Sequence, residues 1–366
     1  MGACVQLTIA IITTLIVAFV ACAGLISVAD RFDLVDHPVG RKDHGAPIPV
    51  VGGIAIWAGL TAGAALLAGD SQLWVPLFAG LILVIVGIAD DHHDLHWGPR
   101  ILAQVVAASV LVIGGDAELT RLGYGIAPLT LELGWAAIPF SVFAVVGIIN
   151  ALNMIDGVDG LSGSLTLTSL LLMLGLALNA NLEALVAPLA LISAAVLVFL
   201  GFNWRLPGRP RALTFLGNSG SALLGLLLAW AAIRLTEPGQ SAITPALGPW
   251  LVALPVLDCL GLIALRLADG RSPFAADRGH FHHLLLDRGW SVPALVLAAV
   301  TAQLAFATIG LLMHLAGVPD IWLIVAFLLL LGMHVLSMVI LRQRNGRLAH
   351  IEAQATAVAD SSSSHR

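Results

Sequence analysis

The sequence predicts an all-α polytopic membrane protein of about eleven transmembrane helices. Three observations predict it. First, 59% of the 366 residues are hydrophobic, only 11% are charged, and mean hydropathy is +0.97; a soluble domain carries about 25% charged residues. Second, apolar runs of about 17–25 residues, the length that crosses a hydrocarbon core as a helix, recur along the whole chain. Third, basic residues are shared unevenly between alternate loops.

The runs occupy about 5–27, 50–68, 73–89, 100–115, 135–151, 161–179, 183–202, 219–235, 246–267, 293–316 and 320–341. The first has no positively charged lead and no small-residue cleavage site after it, so it reads as a retained span rather than a signal peptide. Asn179-Ala-Asn181 reads as a tight turn between the sixth and seventh runs. Residues 116–134 alternate around Gly and Pro, the pattern of a small outer β-hairpin. No repeat of fixed period and no long linker divides the chain. Residues 1–341 therefore read as a single transmembrane domain, and 342–366 as a cytoplasmic tail with a basic start and a serine-rich, disordered end. Cys4, Cys22 and Cys259 lie in or beside apolar runs and show neither a disulfide framework nor a metal-cluster spacing.

Of the 17 Lys and Arg, only Arg121 and Arg234 fall on the side shared with the N-terminus. The other fifteen flank the opposite loops or lie in the tail. Positive charge stays in the cytoplasm, so the N-terminus is expected outside and the C-terminus inside, with an odd number of spans.

On this count five polar stretches share the cytoplasmic side: 28–49, 90–99, 152–160, 203–218 and 268–292. Burying ionisable groups at the end of a span costs several kcal/mol, so their presence asks for a function. Asp90-Asp91-x-x-Asp94 would put Asp90 and Asp94 one turn apart if its helix continues. Like charges so close suit a divalent cation or a diphosphate complex, although a solvated acidic helix end would look the same. Asn150, Asn153, Asp156 and Asp159 are spaced by three, either along one helical face or converging through a loop allowed by Gly157, Gly160 and Gly163. Small-residue helix packing explains the glycines but not the aspartates.

Phe215-Leu-Gly217-Asn218-Ser-Gly220-Ser221 opens the eighth run, where backbone N–H groups suit a phosphate and where Asn218 or Ser219 would also serve as an ordinary cap. Asp277-Arg278-x-His280-x-His282-His283 suits a diphosphate or nucleotide; zinc is a second reading, with no cysteine close by. Lys42, beside Arg41, reads as an anion ligand or a membrane anchor, and Asp36 is equally ambiguous. His314, His334, His350 and His365 read as structural.

Taken together and in order, these motifs resemble the polyprenyl-phosphate N-acetylhexosamine-1-phosphate transferases. The resemblance rests on Asp36-x-Pro38, Arg41-Lys42-x-His44, Pro49-x-x-Gly52-Gly53, Asp90-Asp91-x-x-Asp94 and Asn150-Ala-x-Asn153-x-x-Asp156-Gly-x-Asp159-Gly. It continues through Phe215-x-Gly217-x-x-Gly220-Ser221, Pro255-x-x-Asp258, Ser272-Pro273-Phe274-x-x-Asp277-Arg278 and His280-x-His282-His283, and covers about residues 30–290. Asp94 and the His-x-His-His pattern are similar to the branch that handles N-acetylglucosamine.

The resemblance implies transfer of a sugar 1-phosphate from a UDP-N-acetylhexosamine to undecaprenyl phosphate, with release of UMP, at the cytoplasmic face of a bacterial inner membrane. It implies Mg²⁺, with Mn²⁺ as a substitute. It implies catalytic roles for Asp90, Asp91, Asp156 and Asp159, with Asp90 or Asp91 removing a proton from the lipid phosphate or placing the metal. Metal ligands would be Asn153, Asn218 and Asp91. Substrate would meet Asp36, Lys42, Asp94, Asn150, Asp277, Arg278, His280, His282 and His283. The family usually carries Asp where this chain has Asn218, which removes one negative charge from the expected metal shell. Expected partners are the two substrates and membrane lipids; a homodimer is compatible, and nucleic acid is not expected. The rivals are the same reaction with another amino sugar or a muramoyl pentapeptide, a transporter or flippase, and a membrane scaffold. A transporter would place its polar groups mid-span, whereas here they cluster at one face.

Overall fold

The structure, a computed structural model, describes residues 2–36, 47–67, 72–124, 130–236, 242–273 and 279–363, with side chains for all of these except 3, 124 and 347–363. In chain order the helices and strands begin with α1 (Gly2–Val28), β1 (Val35–Asp36), β2 (Ile48–Pro49), α2 (Gly52–Ala65), α3 (Trp74–His93) and α4 (Trp97–Gly114). Next come β3 (Arg121–Tyr124), β4 (Thr130–Glu132), α5 (Ala137–Ile155), α6 (Leu161–Asn179), α7 (Glu183–Asn203) and α8 (Gly217–Arg234). The chain closes with α9 (Gly248–Leu251), α10 (Ala253–Ala268), α11 (Phe281–Leu286), α12 (Val292–Leu315) and α13 (Asp320–Ser363).

Each of the eleven apolar runs contains a helix, because a backbone surrounded by hydrocarbon must satisfy its hydrogen bonds within the segment. Eight helices among the described residues are long and apolar enough to cross a membrane. A ninth crossing exists if α9 and α10, bent by 87° at Val252, make one span. The protein is therefore a multi-pass membrane protein. The α2 helix is shorter than its run suggests: its 14 residues rise only about 21 Å, against roughly 30 Å of hydrocarbon. The expected hairpin is present as the antiparallel pair β3–β4. A second pair, β1–β2, joins Val35 to Pro49 and Asp36 to Ile48; two-residue strands leave no periodic signal in a sequence.

The centre of the bundle is α8, buried continuously from Ser219 to Ile233. A helix apolar on all sides belongs in the interior. Its neighbours approach through glycines. A Cβ on Gly53 of α2 would lie 2.4 Å from the Gly220 nitrogen, one on Gly87 of α3 would lie 2.3 Å from the Ser219 Cα, and one on Gly225 would lie 2.6 Å from the Ile149 Cα of α5. These near-contacts of backbone against backbone bring the C-terminal ends of α3 and α5 to the N-terminal end of α8. Residues 215–216 continue the join, since the amides of Gly52 and Gly53 donate to the carbonyls of Phe215 and Leu216 at 3.1 Å. Apolar side chains such as Ile12, Ile16 and Phe19 on α1 and Leu328, Leu329 and Met333 on α13 are exposed, as a lipid-facing surface requires.

Candidate active site

The first cluster forms where α3, α4, α5 and α8 meet. Asp90 is buried at the end of α3; one oxygen accepts the Leu95 amide at 2.9 Å and the other lies 3.3 Å from the Arg100 guanidinium. Arg100 also reaches Asn153 Oδ1, weakly, at 3.5 Å. The Asn153 Nδ2 donates at 2.9 Å to both Asn218 Oδ1 and Ser221 Oγ. Asp91 Oδ1 accepts the Asn218 amide at 3.0 Å. A carboxylate from α3 thus caps α8 across the bundle, where the helix dipole favours negative charge. Neither Asn218 nor Ser219 is the cap: the N-cap position is Leu216, which makes no side-chain cap hydrogen bond, and the Asn218 amide donates to Asp91.

The second part is the turn after α5. The spacing of three does not continue as a helix: α5 ends at Ile155, and Gly160 takes φ +78° before α6 begins. Asp156, half-buried, accepts the Ser162 hydroxyl. Burial pushes its carboxyl up to about 7; the Ser162 hydrogen bond opposes this, and the charges of Asp91 and Asp159 reinforce it. Asp159 points elsewhere, since its Oδ2 takes Arg205 Nε at 2.7 Å and the Ala212 amide at 3.2 Å. It ties the turn to the loop between α7 and α8.

The third part is the histidine segment. His280 and His282 are buried with rings stacked 5.2 Å apart, and His283 lies 4.3 Å from His282. A Cβ on Gly157 would fall 2.8 Å from His282 Nε2. The segment therefore rests on the residue next to Asp156, which joins it to the first two parts. Asp258 of α10 lies beneath it: Oδ2 is 2.7 Å from His280 Nδ1, Oδ1 accepts the Phe281 amide at 3.0 Å, and His334 Nε2 of α13 is 3.7 Å from Oδ1. Asp258, His280 and His282 also form a buried group whose ligand atoms lie within 4.8 Å of one another, close enough to hold a metal ion.

The structure gathers Asp90, Asp91, Asn153, Asp156, Asn218, His280, His282 and His283. Asn150 lies one turn deeper and donates to Gln104 Oε1 at 2.7 Å, an α4–α5 tie. Asp94 is not stacked on Asp90: α3 stops at His93, and Asp94, at φ +47°, is its exposed C-cap. Asp36 pairs in β1–β2. Lys42, Asp277 and Arg278 lie outside the described residues.

Four contributors escape the sequence reading. Arg100 and Arg205 look like membrane anchors, and His334 looks like an isolated span histidine. Asp258 stands in the Pro-x-x-Asp motif, but nothing there shows its partner. The signal for His334 was Gly261, where a Cβ would lie 3.3 Å from the His334 ring, so α10 and α13 close on each other at that level.

The oxygen donors of the first cluster suit a hard cation. Asp91 Oδ2 is buried and accepts no hydrogen bond among the described residues. Asn218 Oδ1 accepts the Asn153 amide with one lone pair and keeps a second that could face a cation.

Residues 73–236 match glycosyl transferase family 4. The undecaprenyl-phosphate alpha-N-acetylglucosaminyl 1-phosphate transferase of Salmonella typhi is 35% identical over 311 residues, 82% of this chain and 83% of that protein. The Haemophilus influenzae protein of the same name is 32% identical over 334 residues, 90% and 93% of the two chains. The Escherichia coli one is 33% identical over 311 residues, 82% and 83%. The chain belongs to glycosyl transferase family 4 and is a membrane-embedded transferase.

Proposed function

We propose that this enzyme transfers N-acetylglucosamine 1-phosphate from UDP-N-acetylglucosamine to undecaprenyl phosphate and releases UMP. The observation that carries the reading is similarity over more than four-fifths of both chains to transferases named for that donor group and acceptor. The geometry supports it, because acidic, amide and imidazole groups converge at Gly157, at one end of the bundle.

In the reaction an oxygen of the lipid phosphate attacks the sugar-linked phosphorus, and the bond to the bridging oxygen breaks so that UMP departs with it. Two anions must be brought together, so charge has to be offset. Mg²⁺, when bound through Asp91 and Asn153 with Asn218 as a neutral ligand, would supply part of that offset. Arg100 supplies the rest from this chain, and the histidines, with Lys42 and Arg278, are assigned to the nucleotide-sugar and its phosphates. Asp156 is the base for the last proton of the lipid phosphate, since a carboxyl near 7 matches the operating pH. Asp90 is held by Arg100 and Asp91 by the start of α8, so in this reading both position the site and Asp156 carries the proton. The site faces the cytoplasm, where fifteen of the 17 basic residues are expected.

Purified enzyme given labelled UDP-N-acetylglucosamine and undecaprenyl phosphate should form lipid-linked sugar diphosphate and UMP in equal amounts. Faster turnover of another UDP-amino sugar would replace the donor in this reading, and absence of lipid product with every donor would end it.

A further inference from the structure

We infer that Asp258 is a positioning residue: from within α10 it fixes the ring of His280 and the start of α11, and so holds the His-x-His-His segment against the turn that carries Asp156. This deepens the proposed function and rests on its assignment of the histidines to the nucleotide-sugar.

An ionised carboxylate only accepts hydrogen bonds. His280 Nδ1, 2.7 Å from Asp258 Oδ2, is therefore the donor, and its tautomer is set with Nε2 turned away from Asp258. The other oxygen takes the Phe281 amide, the first backbone donor of α11. One carboxylate thus orients both the ring and the helix that presents His282 and His283. His334 stands behind it at 3.7 Å, too far for a hydrogen bond but near enough to favour the charge, and packs edge-on to Phe281 with ring centroids 6.1 Å apart. Asp258 is 1% exposed, so its effect on substrate passes through His280, whose ring it holds.

The same side chains could hold a metal ion, and the spacing argues for the hydrogen bond instead. Ligands about 2.0–2.1 Å from a tetrahedral zinc ion lie roughly 3.3 Å apart. The Asp258–His280 contact of 2.7 Å is shorter and has the length of a charge-assisted hydrogen bond.

The test uses full-length enzyme in lipid nanodiscs. Asp258→Asn keeps an acceptor for the Phe281 amide but presents an N–H or loses the charge toward His280. It should raise the KM for UDP-N-acetylglucosamine and lower kcat, together costing roughly 10–100-fold in kcat/KM, while the KM for undecaprenyl phosphate stays within about twofold. Because Asp258 acts through His280, the variant carrying both His280→Ala and Asp258→Asn should be no worse toward the donor than His280→Ala alone. Wild-type donor kinetics for Asp258→Asn would overturn the inference. So would additive losses in the double variant, or one equivalent of zinc in the wild type that disappears in Asp258→Asn. If Asp258→Asn does not fold, His334→Gln takes its place, with a smaller donor-specific loss expected and unchanged donor kinetics counting against the inference. His282→Ala separates the two levels. An unchanged donor KM there defeats the assignment of the histidines, whereas a raised donor KM there with a normal Asp258→Asn defeats only the role of Asp258.

Discussion

The cluster at the ends of α3, α5 and α8 and the cluster between α10, α11 and α13 are both built on buried aspartates, and they neutralise them differently. In the first, Asp90 meets a guanidinium and Asp91 a helix N-terminus, and one oxygen of Asp91 is left without a hydrogen bond among the described residues. In the second, both oxygens of Asp258 are taken, one by an imidazole and one by a backbone amide. A carboxylate with an oxygen to spare can take a ligand, and a carboxylate with none holds its neighbours in place. Asp156 and Asp159, three residues apart, differ in another way: Asp159 Oδ2 takes both Arg205 and the Ala212 amide, while Asp156 takes one hydroxyl and burial pushes its carboxyl up to about 7.

Breaking this comparison at Asp156 should have the largest effect. Asp156→Asn should lower kcat by about 10²–10⁴-fold with the protein still folded, and wild-type kcat should rise with pH through a midpoint near 7. The stability consequence has the opposite slope. The folded carboxyl titrates near 7 and the unfolded one near 3.8. Between those values the folded state holds more protons, so its stability falls as pH rises through that window. Asp156→Asn removes that fall, and thermal melts of the two forms from pH 4 to 8 will show it.

Arg100→Met comes next. It strands the buried Asp90 charge and should cost about 2–3 kcal/mol, with part recovered by adding Asp90→Asn; equal melting temperatures for Arg100→Met and wild type would deny the pairing its weight. A gentler loss, about tenfold in kcat/KM, is expected for Asp159→Asn and for Arg205→Ala, and the double variant should lose little more than either single one.

The smallest expected effect concerns Asn218. Asn218→Asp restores a charge beside Asp91 and should lower the Mg²⁺ concentration for half-maximal activity several-fold. Superimposable Mg²⁺ titrations would leave Asn218 as a partner of Asn153 alone. Independently, cysteine introduced as His92→Cys should resist membrane-impermeant labelling from outside intact cells, and labelling there would reverse the orientation.

Helices were legible in the sequence because hydrocarbon forces long apolar runs to be helical, and the β3–β4 hairpin because its alternation and Gly/Pro punctuation are local. The shortness of α2, the bend between α9 and α10 and the β1–β2 pair depend on tertiary contacts and leave no periodic trace. In the site, residue types were legible and partnerships were not. Asn150 and Asn153 share a spacing, yet one faces Gln104 and the other Asn218, since three residues along a helix also descend almost one turn. Arg100 reads as an anchor until Asp90 is found beside it, and His334 reads as structural until Gly261 lets α13 close on α10.

That the two clusters make one site depends on Gly157, where the Asp156 turn and His282 meet. Gly157→Ala places a methyl group about where the His282 ring stands, since its Cβ would fall 2.8 Å from Nε2. Steady-state kinetics of this variant, with a melting temperature to show that it folds, should give a raised KM for UDP-N-acetylglucosamine and a kcat lowered by about 10²-fold, the size of loss that a misplacement of about 1 Å produces. Wild-type constants for both substrates would contradict a single joined site.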